Sequence, residues 1–335
     1  MRLDVSVGIS QRERLADWAD FSAQLEAHGV DRIWLIDSQL AMKDVYAGLL
    51  AAALRTERIE LGTGVTNLLT RHPTVTAGAI AALAELSDGR ALLGLGAGDS
   101  AVRGIGARPS RVAEVEAALG FFRAVFAGGQ GEWEGRSFEL PHAARQIPLQ
   151  LAVSRPRMCR LAGMLADGAI IMGPVQPDLV AEQVAWVRGG AEEAGRDPSE
   201  VELSLVTTMS VADELETALA DVRSWASAQA RLLADVKELP ESLERHRPEL
   251  ERAKEAYDFG EHLSTRAGHQ GTISDELVSA LAIAGTPDEC AGRLQAVLDA
   301  GIDRLIFPLM GSGRLARLET IRDQVLVRLE APARS

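Results

Sequence analysis

Short runs rich in aliphatic and β-branched residues alternate with long amphipathic stretches along this chain, and that rhythm restricts what it can fold into. The runs are Leu3–Ile9, Arg32–Asp37, Ile59–Val65, Ala91–Leu95, Leu149–Val153, Gly168–Met172, Val201–Met209 and Arg304–Leu309. The first helical stretch, Glu13–His28, stops at Gly29, and Pro73 opens another at its first helical position, running to Leu86. Further helices are expected over Asp44–Arg55, Ser110–Ala127, Pro156–Ala166, Asp178–Ala194, Pro287–Ala300 and Leu315–Leu329. Before the penultimate one, Thr286 with Glu289 three residues on forms a capping-box pattern. Strands alternating with helices predict a parallel sheet, and eight such strands are the number that closes a barrel. The expected fold class is α/β, a (β/α)8 TIM barrel. A doubly wound open sheet is the alternative, and it more often has fewer strands.

Two segments interrupt the rhythm. Gly131–Leu140 (GEWEGRSFEL) reads as a small hairpin before the fifth strand. Residues 212–275 are mostly charged and helical, with breaks at Pro240 and Pro248. They are read as a helical insertion between strands seven and eight of one domain spanning 1–335. A solvated helical flap and a lid over the barrel mouth are both open readings. His262 and His269 within it either face a site or face solvent.

Composition removes several function classes. The net charge of −13 disfavours nucleic acid and acidic membranes as partners. The only lysines are Lys43, Lys237 and Lys254, none at a strand end, so Schiff-base chemistry has no candidate. Cys159 and Cys290 are isolated, which argues against a disulfide scaffold or a cysteine zinc site. The six histidines show no metal-ligand spacing, and no metal is expected. The chain reads directly into a strand, with no signal peptide and no long uncharged apolar run. The expected setting is the cytoplasm, and the expected partner a small molecule.

A barrel of this type carries its active site at the C-terminal ends of its strands. There the sequence places Asp37-Ser38-Gln39 after strand two, and Gly62-Thr63-Gly64-Val65-Thr66-Asn67 followed by Thr70-Arg71-His72-Pro73 after strand three. Gly94-Leu95-Gly96-Ala97-Gly98-Asp99-Ser100 ends strand four, Val153-Ser154-Arg155-Pro156-Arg157 strand five, Gly173-Pro174 strand six and Gly311-Ser312-Gly313 strand eight. Small and polar residues thus gather on one rim, where glycine lets backbone approach a ligand. Ser154 as an N-cap, with Pro156 in the first turn and Arg155 and Arg157 beside it, makes either an anion site or an ordinary capped helix. The cluster Gly94, Gly96 and Gly98 is not a dinucleotide fingerprint, because a loop containing Gly104, Gly106 and Pro109 follows where a helix should begin. Asp99 is either a proton donor or ring partner, or an acid satisfying loop amides. His72, just before a helix start, is expected to pack the loop. No GxSxG, HExxH or P-loop pattern occurs.

Five runs carry a resemblance: WLIDSQ (Trp34–Gln39), LGTGVTNLLTRHP (Leu61–Pro73), LSDGRALLGLGAGDSAV (Leu86–Val102), AVSRPRMCRLAGMLADGAI (Ala152–Ile170) and LAIAGTPDECAGRL (Leu281–Leu294). In these, and in their order, the chain resembles the bacterial luciferase-like monooxygenase family, especially its F420-dependent methylenetetrahydromethanopterin-reductase-like branch. The resemblance implies a barrel with a flavin-type ring at its C-terminal mouth and a non-proline cis peptide at Gly64–Val65 against the ring's face. Thr63, Gly64, Val65, Asn67, Gly96, Ala97 and Gly98 would surround the ring. Val153, Ser154, Arg155, Gly173 and Pro174 would receive the cofactor's phosphate-bearing tail. Asp99 would donate a proton to ring or substrate, and Asp37 would line the substrate side. Alcohol dehydrogenases of the family have a histidine directly after the strand-two acid; here that position is Ser38. Reduction of an enoyl, imine or carbonyl group therefore fits better than alcohol oxidation. The resemblance implies coenzyme F420 as cofactor, with FMN and a monooxygenase reaction as the alternative, a non-catalytic binding relative as a further one, and a homodimer as the assembly.

Overall fold

The computed structural model describes residues 2–237, 239, 241–256 and 272–330. Pro240, His262 and His269 lie outside the described residues. A closed barrel is formed by β1 (Leu3–Val7), β2 (Arg32–Leu35), β3 (Glu60–Thr63), β4 (Ala91–Leu95), β5 (Leu149–Val153), β6 (Gly168–Ile171), β7 (Glu202–Val206) and β8 (Arg304–Pro308), in sequence order around the sheet. The (β/α)8 barrel expected from the alternating pattern is the fold observed. By internal packing the chain divides into two compact units, Arg2–Ile171 with Ala185–Ser204, and Met172–Val184 with Leu205 onward.

In the first unit the helices are α1 (Leu15–Ala27), α2 (Val45–Ala53), α3 (Pro73–Leu86), α4 (Val112–Gly128) and α5 (Pro156–Leu165). Strand register sets two faces. Val5, Ile33 and Leu61 stand side by side and are fully buried. On the other face Asp4, Arg32 and Glu60 align, and Trp34 aligns with Gly62. A β-carbon on Gly62 would lie 2.6 Å from the Trp34 ring, so the glycine makes room for the indole. The Arg32 guanidinium sits 5.3 Å from that ring's centroid and pairs with Glu202 at 2.6 Å, Glu60 at 2.8 Å and Asp4 at 3.9 Å. A buried guanidinium is stable only with such partners; here they come from three strands besides its own.

The hairpin pairs Gln130–Trp133 with Arg136–Glu139, and its turn residues Glu134 and Gly135 both have positive φ, as a tight two-residue turn requires.

The second unit holds α6 (Pro177–Glu193, in part), α7 (Leu215–Leu233), α8 (Arg247–Ala256), α9 (Asp275–Leu281), α10 (Pro287–Asp299) and α11 (Arg314–Thr320). Although charged in sequence, the described part of the 212–275 segment has an apolar interior: Leu219, Val222, Leu243, Leu250 and Ile273 are buried with Leu277. The seventh strand ends earlier than its β-branched run suggests. Thr207 still donates to Ile306, but the Thr208 carbonyl accepts from Ile283. The chain thus changes partners there, and Met209–Val211 pairs in parallel with Ile283–Gly285, a strand the sequence pattern did not indicate. The capping box forms: the Glu289 amide donates to Thr286 Oγ1, while Glu289 Oε2 accepts from the Thr286 amide. The expected single terminal helix is broken; after α11 the chain widens into a π turn at Ile321–Val325 and tightens at Leu326–Arg328.

Candidate active site

The C-terminal ends of β2, β3 and β4 are bound into one structure by short bonds. Past Thr63 the backbone leaves the β3 ladder and returns one step later. The Gly64 amide donates to Leu35, the Thr66 amide to Gly94, and the Gly96 amide to Thr66. Within this bulge the Gly64–Val65 peptide bond is cis, where the resemblance implied it. The Thr63 hydroxyl fills the gap in the ladder, donating to the Gly94 carbonyl at 2.7 Å and accepting from the Gly94 amide at 3.0 Å. Thr63 is thereby occupied between strands.

Glycine is required here by contact. A β-carbon on Gly64 would lie 2.7 Å from Trp34 Cβ, and one on Gly96 would lie 2.8 Å from Val65 Cγ2 and 3.5 Å from Ala152. Val65 stays half-buried, and Ala97 and Gly98 are likewise partly open. Asn67 is buried, and its side-chain oxygen accepts from the amides of Leu69 and Thr70, which fixes the loop leading to α3. A β-carbon on Gly98 would meet Asn67 at 3.4 Å. His72 caps α3 by accepting from the Thr74 amide and packs edge-on against Phe138; it is a loop-packing residue.

The β2 and β4 loops are joined as well. Ser38 Oγ lies 3.4 Å from Ser100 Oγ, and Gln39 donates to the Ala101 carbonyl at 2.9 Å. Ser38, directly after the strand-two acid, thus points toward the β4 loop.

The two candidate acids differ sharply. Asp37 has a side chain only 1% exposed and accepts on Oδ2 from Thr66 Oγ1 and from Arg71 Nη1, both at 2.7 Å. Burial pushes its proton affinity above that of an ordinary aspartate, although Thr66 and Arg71 pull the other way. Asp99 is 36% exposed and ion-pairs with Arg103 at 3.0 Å, one turn along the short helix Ser100–Arg103.

Arg71 does more than touch Asp37. Its other terminal nitrogen donates to Asp44 Oδ2 at 2.7 Å, and its guanidinium lies 4.9 Å from the centroid of the Tyr46 ring. Burial pushes the Tyr46 phenol above its usual value; its hydroxyl faces Thr76 and Thr66 without a well-formed bond to either. For Asp44, burial acts to raise the proton affinity, but the Ala47 amide and Arg71 outweigh it and bring it below the usual carboxylate value. Thr66, Arg71, Asp44 and Tyr46 were not singled out by the sequence pattern. Their only sequence signal is position, two in the strand-three loop and two at the start of the helix after strand two.

The expected phosphate-binding residues are placed less tightly. Val153 is buried at the end of β5, while Ser154, Arg155, Pro156 and Arg157 are exposed. The cap of α5 is Arg155, in extended backbone and without a side-chain cap bond, not Ser154. The Pro ring at the first helical position requires an extended residue before it, which moves the cap one residue on. Gly173 and Pro174 are buried and belong to the second unit, where a β-carbon on Gly173 would meet the Gln183 amide at 3.2 Å. Among the described residues no group of three or more His, Cys, Asp or Glu could hold a metal ion, and no helix is long and apolar enough to cross a membrane. Both cysteines are buried and free; burial pushes the Cys159 thiol up to about 12 and Cys290 up to about 11.

The model of the luciferase-like monooxygenase family matches residues 2–304. The chain belongs to this family. It is 31% identical over 305 residues to a 5,10-methylenetetrahydromethanopterin reductase of Methanolobus tindarius, covering 86% of this chain and 88% of that protein. Two solved structures share the fold. The coenzyme F420-dependent tetrahydromethanopterin reductase of Methanopyrus kandleri superposes with a TM-score of 0.75 at 22% identity, covering 98% of this chain and 100% of the other. The oxygenating constituent of 3,6-diketocamphane monooxygenase from Pseudomonas putida, solved in complex with FMN, superposes at 0.67 with 19% identity and complete coverage of both. The same barrel fold thus occurs in a coenzyme F420-dependent reductase and in a monooxygenase constituent solved with FMN.

Proposed function

We propose that this luciferase-like protein is an F420-dependent oxidoreductase that transfers a hydride between coenzyme F420 and a small organic substrate. The observation that carries the reading is Asp37: a buried carboxylate with raised proton affinity at the end of β2, beside a glycine-lined bulge on β3 and β4. Likeness to methanopterin reductases over most of the chain, the one of Methanopyrus kandleri being coenzyme F420-dependent, supports F420 as the cofactor.

The residues present suit a flat ring. Gly94 and Gly96 keep the β4 end free of side chains, leaving Val65 as the apolar surface at the bulge. Gly64, Val65, Asn67, Gly96, Ala97 and Gly98 form the ring-side wall in this reading, with Thr63 tying β3 to β4 behind it, and Val153, Ser154 and Arg155 receive the tail. When bound in its reduced form, F420 supplies the hydride. In this reading Asp37 supplies the balancing proton, in place of Asp99, to which the resemblance gave that role. Since Thr66 and Arg71 both approach Oδ2, the transferable proton sits on Oδ1. Asp99, tied to Arg103, orients the β4 loop and lies at the ring edge. Ser38 in place of a basic imidazole favours reduction of a C=C, C=N or C=O bond over alcohol oxidation.

The same barrel carries FMN in a monooxygenase, and that remains the second reading. We further infer a cytoplasmic homodimer of single-domain subunits. Leu86 is exposed in a groove also lined by Leu50, Ala81, Ala82, Glu85 and His142, a largely apolar strip suited to a second copy.

The test is Gly96→Leu. Its side chain would displace Val65 and is expected to weaken F420 binding at least about tenfold. Unchanged affinity in the folded variant would remove the ring from this wall.

A further inference from the structure

We propose that Asp44 is a positioning residue for Asp37: the two carboxylates compete for the single guanidinium of Arg71, and this competition sets whether Asp37 can hand on a proton. The inference rests on the reading of Asp37 as the proton-exchanging group.

Geometry carries it. Arg71 spans the two acids with one nitrogen each, at 2.7 Å to Asp37 Oδ2 and 2.7 Å to Asp44 Oδ2. The guanidinium lies over the Tyr46 ring, 4.9 Å from its centroid, a contact that favours this placement between the two acids. The environments are unequal. Asp37 is sealed in, whereas the Asp44 side chain is 51% exposed. Asp44 is itself fixed, because Oδ1 caps α2 by accepting from the Ala47 amide at 2.9 Å. The bridge therefore runs from a helix cap at the surface to the buried acid.

Charge gives the direction. Arg71 favours the ionised form of Asp37, and Asp44 opposes that, both as a like charge and as a rival for Arg71. The charged and titratable groups acting on Asp37 are Arg71, Asp44 and Tyr46; Asp99 and Arg103 on the neighbouring β4 loop pair with each other. Neutralising Asp44 gives Arg71 wholly to Asp37 and makes Asp37 a stronger acid. Removing the Arg71 charge makes it a weaker one. A purely structural bridge would not produce opposite signs from its two ends.

The experiment is a pH titration of the aspartate side-chain carboxyl carbons by 13C NMR on the full-length protein, with Asp37→Asn used to assign the Asp37 signal. Asp44→Asn keeps the helix cap, since asparagine caps as well as aspartate. The expected result is an Asp37 midpoint that moves to lower pH in Asp44→Asn and to higher pH in Arg71→Gln. If Arg71→Gln does not fold, Arg71→Lys serves: it retains the charge but cannot span both acids, and its midpoint should differ from wild type while Asp44→Asn still moves downward. An unmoved Asp37 midpoint in folded Asp44→Asn, or shifts of the same sign in both variants, overturns the proposal. The titration needs no cofactor or substrate. Opposite shifts in a protein that binds neither F420 nor FMN would uphold the coupling while removing the function proposed above.

Discussion

Gly94 lies so close to Thr63 that a β-carbon added to it would stand 2.0 Å from the Thr63 carbonyl oxygen. The contact is backbone against backbone, and the Thr63 hydroxyl holds it shut from both sides with bonds to the Gly94 amide and carbonyl. Gly94→Ala cannot be absorbed by a rotamer change. It should destabilise the protein by about 3 kcal/mol or more, at the upper end of overpacking costs. Urea unfolding of the variant beside wild type measures this. A loss below about 1 kcal/mol would mean that β3 and β4 separate more easily than the bonds suggest.

Arg32 should be among the least replaceable residues of the first unit. Its removal takes one cation from Glu60, from Glu202 and from the fully buried Asp4. Arg32→Ala is expected to lose about 3–5 kcal/mol, the cost of breaking a buried ion pair by removing one partner. Double substitution with Asp4→Asn should recover part of it. Absence of recovery would assign the loss to packing against Trp34 instead.

The raised proton affinity of Asp37 has a consequence for stability. The folded state binds the proton more tightly than the unfolded chain. The group's contribution is therefore fully present below the unfolded value of an aspartate and is lost as pH rises through the folded value. Asp37→Asn lacks that dependence. The stability of wild type relative to Asp37→Asn should fall as pH rises above the ordinary carboxylate range. Thermal melts across that range test the sign, and a difference that grows with pH would contradict it.

These particulars show what a sequence pattern can reach. Ala91–Leu95 and Leu149–Val153 coincide with the strands read from their apolar runs, and Pro73–Leu86 with its helix, because a proline at the first helical position fixes the start. The runs Ile59–Val65 and Val201–Met209 outlast their strands for one reason. Both runs stay β-branched past the point where the backbone changes partners, at the Gly64–Val65 bulge in one and between Thr207 and Thr208 in the other. The acids Asp37 and Asp99 were visible because strand ends can be located. The bridge from Asp37 through Arg71 to Asp44 was not, since it depends on neighbouring loops meeting above adjacent strands, and local periodicity carries no trace of that.

The central claim concerns the cofactor, and fluorescence titration of the purified wild-type protein with F420 and, separately, with FMN tests it most directly. Saturable, tight binding of F420 and distinctly weaker binding of FMN are expected. Tight binding of FMN alone, or of neither, would contradict the claim.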